Sequence, residues 1–522
     1  MDGRIVVADA DPWQNREIFQ QLIIYMNKFF KILFLSVLIV TAGCSCAKSA
    51  SEPTEKPYLK LSVSQKIVSC KSGSFEVYIN SNASWKVTSQ AGWIHVNVEE
   101  GTGSRNITVE YDANYLEDGV TPATERTGTV RISAEGTIPS RITVKQGART
   151  FKNPVFQPMP DPYVWREDDG QSVTYYPCKS SGSGVNLGKT SKLTEFGGTK
   201  KVWSCPADGA VKVWNRANLW APELVRIDGV WYIYYAAGRP SSELGPDGKE
   251  LGYSTQRTGV LRCTSADPTT GAWEDMGMLF TGDEEDYKKY SGGEKLSVDN
   301  TIYAIDMTVF RIGSRLYAIW SGNVSKTDGN QRLYIAPMEN PWTINSPRVE
   351  ISRPDYAWEK VSRSINEGPS VIFSPDGTKL FCVYSANASW TKAYCLGWLK
   401  LDLADSQKND PLVKANWEKS PNHTFWRCDN VSKSSNPNAD NPTNPSTMHI
   451  GGVHGVGHNT FTKSPDGTED WIVYHVKRYK DDGWDNRDCF LQKVNWNENG
   501  TPDFGTPVGW QEDIEVPSGE PL

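Results

Sequence analysis

The sequence predicts an all-β protein, a five-bladed β-propeller preceded by a small immunoglobulin-like β-sandwich. Three observations lead there. Trp 20, Tyr 22 and Phe 16 stand beside Gly 44 and Pro 31 in 522 residues, a mixture that suits short aromatic and β-branched strands broken by tight turns. Five times after residue 150, a polar residue beside a turn is followed by a strand, a Gly-containing turn and a second strand. Between residues 59 and 146 the chain shows short alternating apolar and polar runs of a separate kind. The length exceeds one ordinary core and points to two or three folded units. A net charge of -7 spread along the chain, with no long basic run, excludes nucleic acid as a partner.

Residues 1–25 are polar and acidic and read as an extension upstream of the true start at Met26. Lys28 and Lys31 then precede the apolar run Ile32 to Val40 and Thr41-Ala42-Gly43-Cys44. This order resembles a bacterial lipoprotein signal over 26–44, with Cys44 as the lipidated residue. The apolar run is shorter than the roughly 20 residues a membrane-spanning helix needs. Residues 45–57, rich in Ser, Glu, Lys and Pro, read as a flexible tether. The chain is therefore expected to be exported and anchored by lipid to the outer membrane. Ser45-Cys46-Ala47-Lys48 lacks an acidic cluster that would argue for surface export, so the periplasmic and cell-surface faces both stay open. The other cysteines are scattered without a C-x-x-C pair and suggest no zinc site. Disulfides are open to an exported protein, but spacing does not assign them.

Residues 58–147 read as the sandwich. Phe75-Glu76-Val77-Tyr78-Ile79, Ile107-Thr108-Val109 and Ile142-Thr143-Val144 alternate apolar and polar residues between Gly, Asn and Ser, as half-buried strands do. With Ser84-Trp85, Gly92-Trp93-Ile94 and Arg126-Thr127-Gly128-Thr129-Val130, the segment resembles the BACON domain. That name implies carbohydrate binding, but Trp85 and Trp93 read as packing residues and the domain as a spacer.

Residues 151–522 carry the repeat. Its starts are Asp161-Pro162, Pro222-Glu223, Asp306-Met307, Glu367-Gly368-Pro369 and His458-Asn459. The paired second strands are Val173 to Tyr176, Trp231 to Tyr235, Leu316 to Trp320, Leu380 to Tyr384 and Trp471 to His475. The spacing suits a four-stranded blade with loops, and radial repetition removes exposed sheet edges. Because first strands line a propeller's channel, polar residues at five starts converge at one mouth.

Asp161, Asp306 and Glu367 would meet there, and hydrolysis of a glycosidic bond needs one protonated and one ionised carboxyl. Asn153-Pro154-Val155 with Pro160-Asp161-Pro162-Tyr163-Val164, Leu219-Trp220-Ala221-Pro222-Glu223, Ala304-Ile305-Asp306, Asn366-Glu367-Gly368-Pro369 and Gly455-Val456-Gly457-His458 together resemble glycoside hydrolase family 43, in order and over nearly all of 151–522. The resemblance implies Asp161 as general base, Glu367 as general acid, Asp306 as the residue that orients the acid and raises its pKa, and inversion at the anomeric carbon. It also implies that Arg487 reaches the sugar. Near His458 it implies a water-filled axial site that holds a structural calcium or other ion, with no cofactor needed for catalysis. Trp220 offers a flat face for a sugar ring, whereas Glu223 reads as a structural hydrogen-bonding residue.

The runs Leu333 to Met338, Ile351 to Pro354 and Gly457 to Trp471 look most like α-L-arabinofuranosidases, so the expected substrate is an arabinose- or xylose-containing glycan. β-Xylosidase and endo-arabinanase are the alternatives within the family. The inserts Arg239 to Gly259 and Asp429 to Gly452 would separate exo from endo action by closing the cleft or leaving it open. A non-catalytic glycan-binding surface lipoprotein, or a propeller serving protein interaction, would have no need for all three acids.

Overall fold

The computed structural model describes residues 56–521, apart from Ser69, Asp118, 120–122, Ala148, 208–212 and 436–450. The extension 1–25, the signal 26–44 with Cys44, nearly all of the tether and much of the insert Asp429 to Gly452 lie outside the described residues. Among the described residues no helix is long and apolar enough to cross a membrane, and all eight cysteines are free thiols.

Two facing sheets form the sandwich. One contains Leu59–Leu61, Gly73–Ser81, Arg105–Tyr111 and Ile94–Val96; the other contains Gln65–Val68, Ser140–Gln146, Arg126–Ala134, Ser84–Ser89 and Glu100–Thr102. Alternation places Val77, Ile79, Ile107, Val109, Val130, Ile132, Ile142 and Val144 between the sheets, fully buried, which is the pattern a two-sided sheet requires. Trp85 is buried with them and its indole Nε1 donates to the Gly103 carbonyl at 2.8 Å. A Cβ on Gly101 would come within 2.5 Å of the Trp85 ring, so a glycine is required where the backbone crosses that ring. Trp93 lies under the Arg126 guanidinium, 4.3 Å away. Both tryptophans are packing residues.

The propeller follows as five antiparallel four-stranded blades among the described residues. Blade 1 begins with Tyr163–Asp168, blade 2 with Ala217–Ile227, blade 3 with Ala304–Ile312, blade 4 with Asn366–Phe373 and blade 5 with His454–Lys463. Each expected second strand falls in the second strand of its blade. The ring closes by hydrogen bonds between the segment before blade 1 and the third strand of blade 5, Arg487–Trp496. Asn153 Nδ2 donates to the Leu491 carbonyl and its Oδ1 accepts from the Leu491 amide, at 2.8 and 2.9 Å. The Met159 amide then donates to the Arg487 carbonyl at 3.0 Å. Closure thus fixes the residues just ahead of Asp161 beside the strand that carries Arg487. Phe151 also pairs with Ile514 of the strand Asp513–Glu515, and the Cys70 thiol of the sandwich donates to Glu515 at 3.0 Å, which fastens the sandwich to that strand.

Candidate active site

A single backbone device recurs at the start of the inner strands. Asp161, Ala221, Asp306, Gly368 and His458 have φ of 51°, 41°, 54°, 55° and 48°. In blades 2 to 5 the pairing register slips there, between Trp220 and Glu223, Ile305 and Thr308, Glu367 and Ser370, and Gly457 and Thr460. Such a bulge re-aims a side chain. For a non-glycine residue the left-handed conformation costs on the order of 1–2 kcal/mol, a strain that clusters at functional sites. Asp161, Asp306 and His458 therefore hold one equivalent position in blades 1, 3 and 5.

The bulge also corrects how the five starts line up. Glu367 stands one residue before the bulge of blade 4, the place Trp220 takes in blade 2. Glu223 stands two residues after its bulge, level with Tyr163, Thr308, Ser370 and Thr460, one layer deeper in the channel. Its carboxyl is buried and pushed well above the usual range by burial and by Asp306, with a hydrogen bond to Thr308. In blade 4 the bulge itself falls to Gly368, where a Cβ would stand 3.2 Å from the His458 ring.

Asp161, Asp306, Glu367, His458, Trp220 and Arg487 line one cavity of about 430 Å³, together with Tyr253, Tyr303, Ile305, Gln331, Ser389, Trp390 and Trp484. The volume falls in the ordinary range for a small-ligand site. Arg487 Nη1 donates to Asp161 Oδ1 at 2.8 Å, and its Nε donates to the Trp484 carbonyl at 3.3 Å. Two of its nitrogens thus serve the protein while the side chain borders the cavity. His458 Nδ1 lies 3.3 Å from the same Asp161 oxygen. His475 Nδ1 is equally close, but burial pushes that ring down to about 4, and its Nδ1 accepts the Asp161 amide at 3.2 Å. It is a neutral acceptor and not half of an ion pair.

These neighbours divide the carboxyls. Burial alone would raise Asp161, but Arg487 and then His458 outweigh it and hold the group well below the usual carboxylate range. Burial raises Glu367 to about 7, with the Asp161 charge adding to it and a hydrogen bond from Tyr394 opposing. Tyr394 Oη donates to Glu367 Oε1 at 3.0 Å and is itself bonded to the Ser385 side chain, whose Oγ accepts the His458 amide at 2.7 Å. Asp306 is raised to about 7 by burial, partly countered by His458 and reinforced by Glu367 and Asp161. Its Oδ2 accepts the Gly368 amide at 3.1 Å, which pins the residue next to Glu367.

Sequence reasoning missed His475, Tyr394 and Gln331, the last of which is hydrogen-bonded to Glu367. One signal pointed toward Tyr394. A Cβ on Gly457 would lie 2.2 Å from its ring, so the Gly before His458 is the space that lets Tyr394 reach Glu367.

Calcium binds six to eight oxygens, and the residues around His458 do not supply such a set. Among the described residues no three His, Cys, Asp or Glu side chains converge on a metal position, and the nearest carboxylate, Asp161, is already held by Arg487.

Comparison with known proteins agrees with this geometry. The model of the glycosyl hydrolases family 43 matches residues 151–502, and that of the viral BACON domain matches 60–149. An extracellular exo-α-(1→5)-L-arabinofuranosidase of Streptomyces avermitilis is 33% identical over 73% of this chain and 67% of its own length. α-L-Arabinofuranosidase 43 of Humicola insolens is 35% identical over 59% of this chain. The chain matches about two thirds of the first relative's length and about half of the second, 53%. The crystal structure of an α-L-arabinofuranosidase from Lactobacillus brevis superposes with a TM-score of 0.55 at 29% identity, covering 69% of this chain and 98% of that one.

Proposed function

The chain belongs to glycosyl hydrolase family 43, and from that premise we propose that it is an exo-acting, inverting α-L-arabinofuranosidase of plant-type glycans, with Asp161 as general base and Glu367 as general acid. The observation that carries this reading is the opposed ionisation of two carboxyls in one cavity. Near neutral pH, Asp161 is ionised while Glu367, raised to about 7, retains a proton. A pair whose surroundings push the two pKa values apart identifies base and acid.

In the proposed reaction a furanose ring lies against Trp220 with its anomeric carbon between the two acids. Asp161, oriented by Arg487 and His458, takes a proton from a water that attacks the anomeric carbon. Glu367 gives its proton to the leaving oxygen as the glycosidic bond breaks. Asp306 holds Glu367 in place through the Gly368 amide, and through their shared burial it disfavours a second negative charge. This chemistry uses the carboxyls alone and needs no cofactor.

Exo action is supported by the rim. Tyr253, from the insert 239–259, meets Trp220 at 4.9 Å and Trp484 of the blade 5 loop at 6.4 Å, so aromatic contacts link blade 2 to blade 5 around the mouth. The arabinofuranosyl substrate is supported by the named activities of the Streptomyces avermitilis and Humicola insolens relatives, at 33% and 35% identity. We further propose export, with Cys44 as a lipid anchor to the outer membrane, 45–57 as the tether and the sandwich as a spacer.

The test is sugar release from α-1,5-linked arabino-oligosaccharides by the wild type and by Glu367→Gln, with proton NMR of the first anomer formed. Arabinose released with inverted configuration and lost in the variant upholds the proposal. Release of internal oligosaccharides would make the enzyme an endo-arabinanase, and release of xylose from xylosides a β-xylosidase. Glycan binding without hydrolysis would leave a binding lipoprotein.

A further inference from the structure

One carboxylate lies outside the cavity lining and is closed off from solvent. Glu359 is fully buried, in the segment 353–365 that runs from the outer strand of blade 3 to the inner strand of blade 4. Its Oε1 accepts from Asn366 Nδ2 and Tyr384 Oη, each at 2.9 Å, and from Lys419 Nζ at 2.7 Å. Tyr384 belongs to the second strand of blade 4 and Lys419 to its outer strand. Glu359 Oε2 accepts the amides of Asp355 and Tyr356, each at 2.9 Å. A carboxylate offers about four lone-pair sites, so none is left for another partner. Taking two charges out of water commonly costs more than their attraction returns, which directs attention to what the pair holds in place.

It holds Asn366, the residue before Glu367. An acceptor-only carboxylate can face only the nitrogen of the Asn366 amide, which turns Oδ1 toward Ser352, and Ser352 Oγ donates to it at 2.8 Å. The Asn366 carbonyl accepts from Ser321 Oγ, also at 2.8 Å. Both ends of the side chain and the carbonyl are thus fixed, in a residue that is itself wholly buried. Ser321 Oγ also lies 2.8 Å from Gln331 Oε1, which leaves the Gln331 nitrogen for its hydrogen bond to Glu367. On the other side of Glu367, the amide of left-handed Gly368 donates to Asp306 at 3.1 Å. Glu367 is clamped from both directions along the chain, downstream by a residue of the cavity and upstream by a cluster outside it.

We propose that Glu359, braced by Lys419, is a positioning residue for the general acid: through Asn366 it sets the backbone that aims the Glu367 carboxyl at the leaving oxygen. This rests on the reading of Glu367 as the acid. Such a residue governs delivery of the proton to the leaving group. Its loss should tell on a substrate whose leaving sugar needs that proton and spare one whose dinitrophenolate departs without it.

The test measures kcat and KM of wild type, Glu359→Gln, Ser352→Ala and Glu367→Gln on α-1,5-arabinobiose and on 2,4-dinitrophenyl α-L-arabinofuranoside. Glu359→Gln keeps the volume but turns one acceptor oxygen into a donor that meets other donors whichever way it faces. It should lower kcat on arabinobiose roughly 10–100-fold, the scale of a small displacement of a reacting group, with KM and the aryl substrate's kcat within about threefold. Ser352→Ala, which frees only Asn366 Oδ1, should show the same selective loss at about threefold to tenfold, and it decides the matter where Glu359→Gln fails to fold. In the Glu367→Gln background, Glu359→Gln should cost no further arabinobiose activity, since a residue acting through the acid has nothing left to act on. Equal losses on both substrates, no loss on either, or a full additional loss in that background overturns the positioning role. If Glu367→Gln itself lowers both substrates alike, or neither, the acid assignment falls and the positioning role with it. If Glu367→Gln spares only the aryl substrate while the other variants show no such selectivity, the acid stands and Glu359 serves stability alone.

Discussion

The two mouths of the propeller channel differ in a way that cavity size does not convey. The larger space, about 840 Å³, opens at the end away from the acids and is lined by Val225, Thr308, Ser370, Ile372 and Thr460, with Arg166, Lys463, Lys493, Glu469 and Asp470 at its edge. Those charges are already paired, Lys463 with Asp470 at 2.6 Å, Lys493 with Glu469 at 2.5 Å and Arg166 with Asp168 at 3.0 Å. The smaller space, about 430 Å³, holds Asp161, Asp306 and Glu367, whose surroundings push them in opposite directions. Among the described residues of the inner strands, bulges with a left-handed residue occur at this end, whereas left-handed Asp228 at the other lies in a hairpin turn. The difference teaches that in a ring of near-equivalent blades the functional mouth is marked by backbone strain and divided charge, not by volume.

Substitutions at the acidic mouth should have the largest effects. Asp161→Asn is expected to lower kcat on arabino-oligosaccharides by roughly 10²–10⁴-fold, the usual worth of a general base, measured as arabinose release; a loss under tenfold would remove Asp161 from the chemistry. Asp306→Asn should lower kcat about tenfold or more and move the basic limb of the pH–rate profile to lower pH, since one source of repulsion against ionised Glu367 is gone. An unmoved limb would confine Asp306 to its bond with the Gly368 amide.

Stability should respond to the same charges. Glu367 has a folded pKa above its unfolded value, so folding binds an extra proton between about pH 4 and 7. Stability from this group is present below that window and declines as pH rises through it. Glu367→Gln should therefore melt at a higher temperature than wild type at pH 8, by the equivalent of about 1–3 kcal/mol, with the gap closing at pH 4.5. A pH-independent gap would mean that Glu367 is not raised. At the other mouth Lys493→Ala breaks a partly buried pair, costing about 1–3 kcal/mol of stability, and should leave kcat/KM within about twofold; a larger fall would give that end a role. Smallest of all, EDTA should leave both activity and melting temperature unchanged, and a loss restored by calcium would mean that waters around His458 supply the oxygens the side chains do not.

Much of this was legible in the sequence because repetition carries it. A strand, a turn and an aromatic strand recur five times, and the residues opening each repeat had to converge once the ring was inferred. Asp161, Asp306, Glu367, His458, Trp220 and Arg487 do share one cavity. What pattern alone did not supply is register. A one-residue bulge separates Glu367 from the position of Asp306 and drops Glu223 a layer deeper, and no local rule of spacing records that shift. Tyr394 and His475 were hidden for another reason. They sit in a loop and at the inner end of a second strand, and their partners are more than 25 residues away, at Glu367 and Asp161. Trp484 looks in sequence like any loop tryptophan, and only its neighbours distinguish it from the buried Trp85.

The most direct test of the divided pair is the pH dependence of kcat/KM for arabino-oligosaccharide hydrolysis. A protonated Glu367 acid and an ionised Asp161 base require activity that stays level down to about pH 4 and falls as pH rises through about 7. Activity that instead climbs through pH 7 would mean that the group titrating there works as a base, and the assignment of Glu367 as the acid would be wrong.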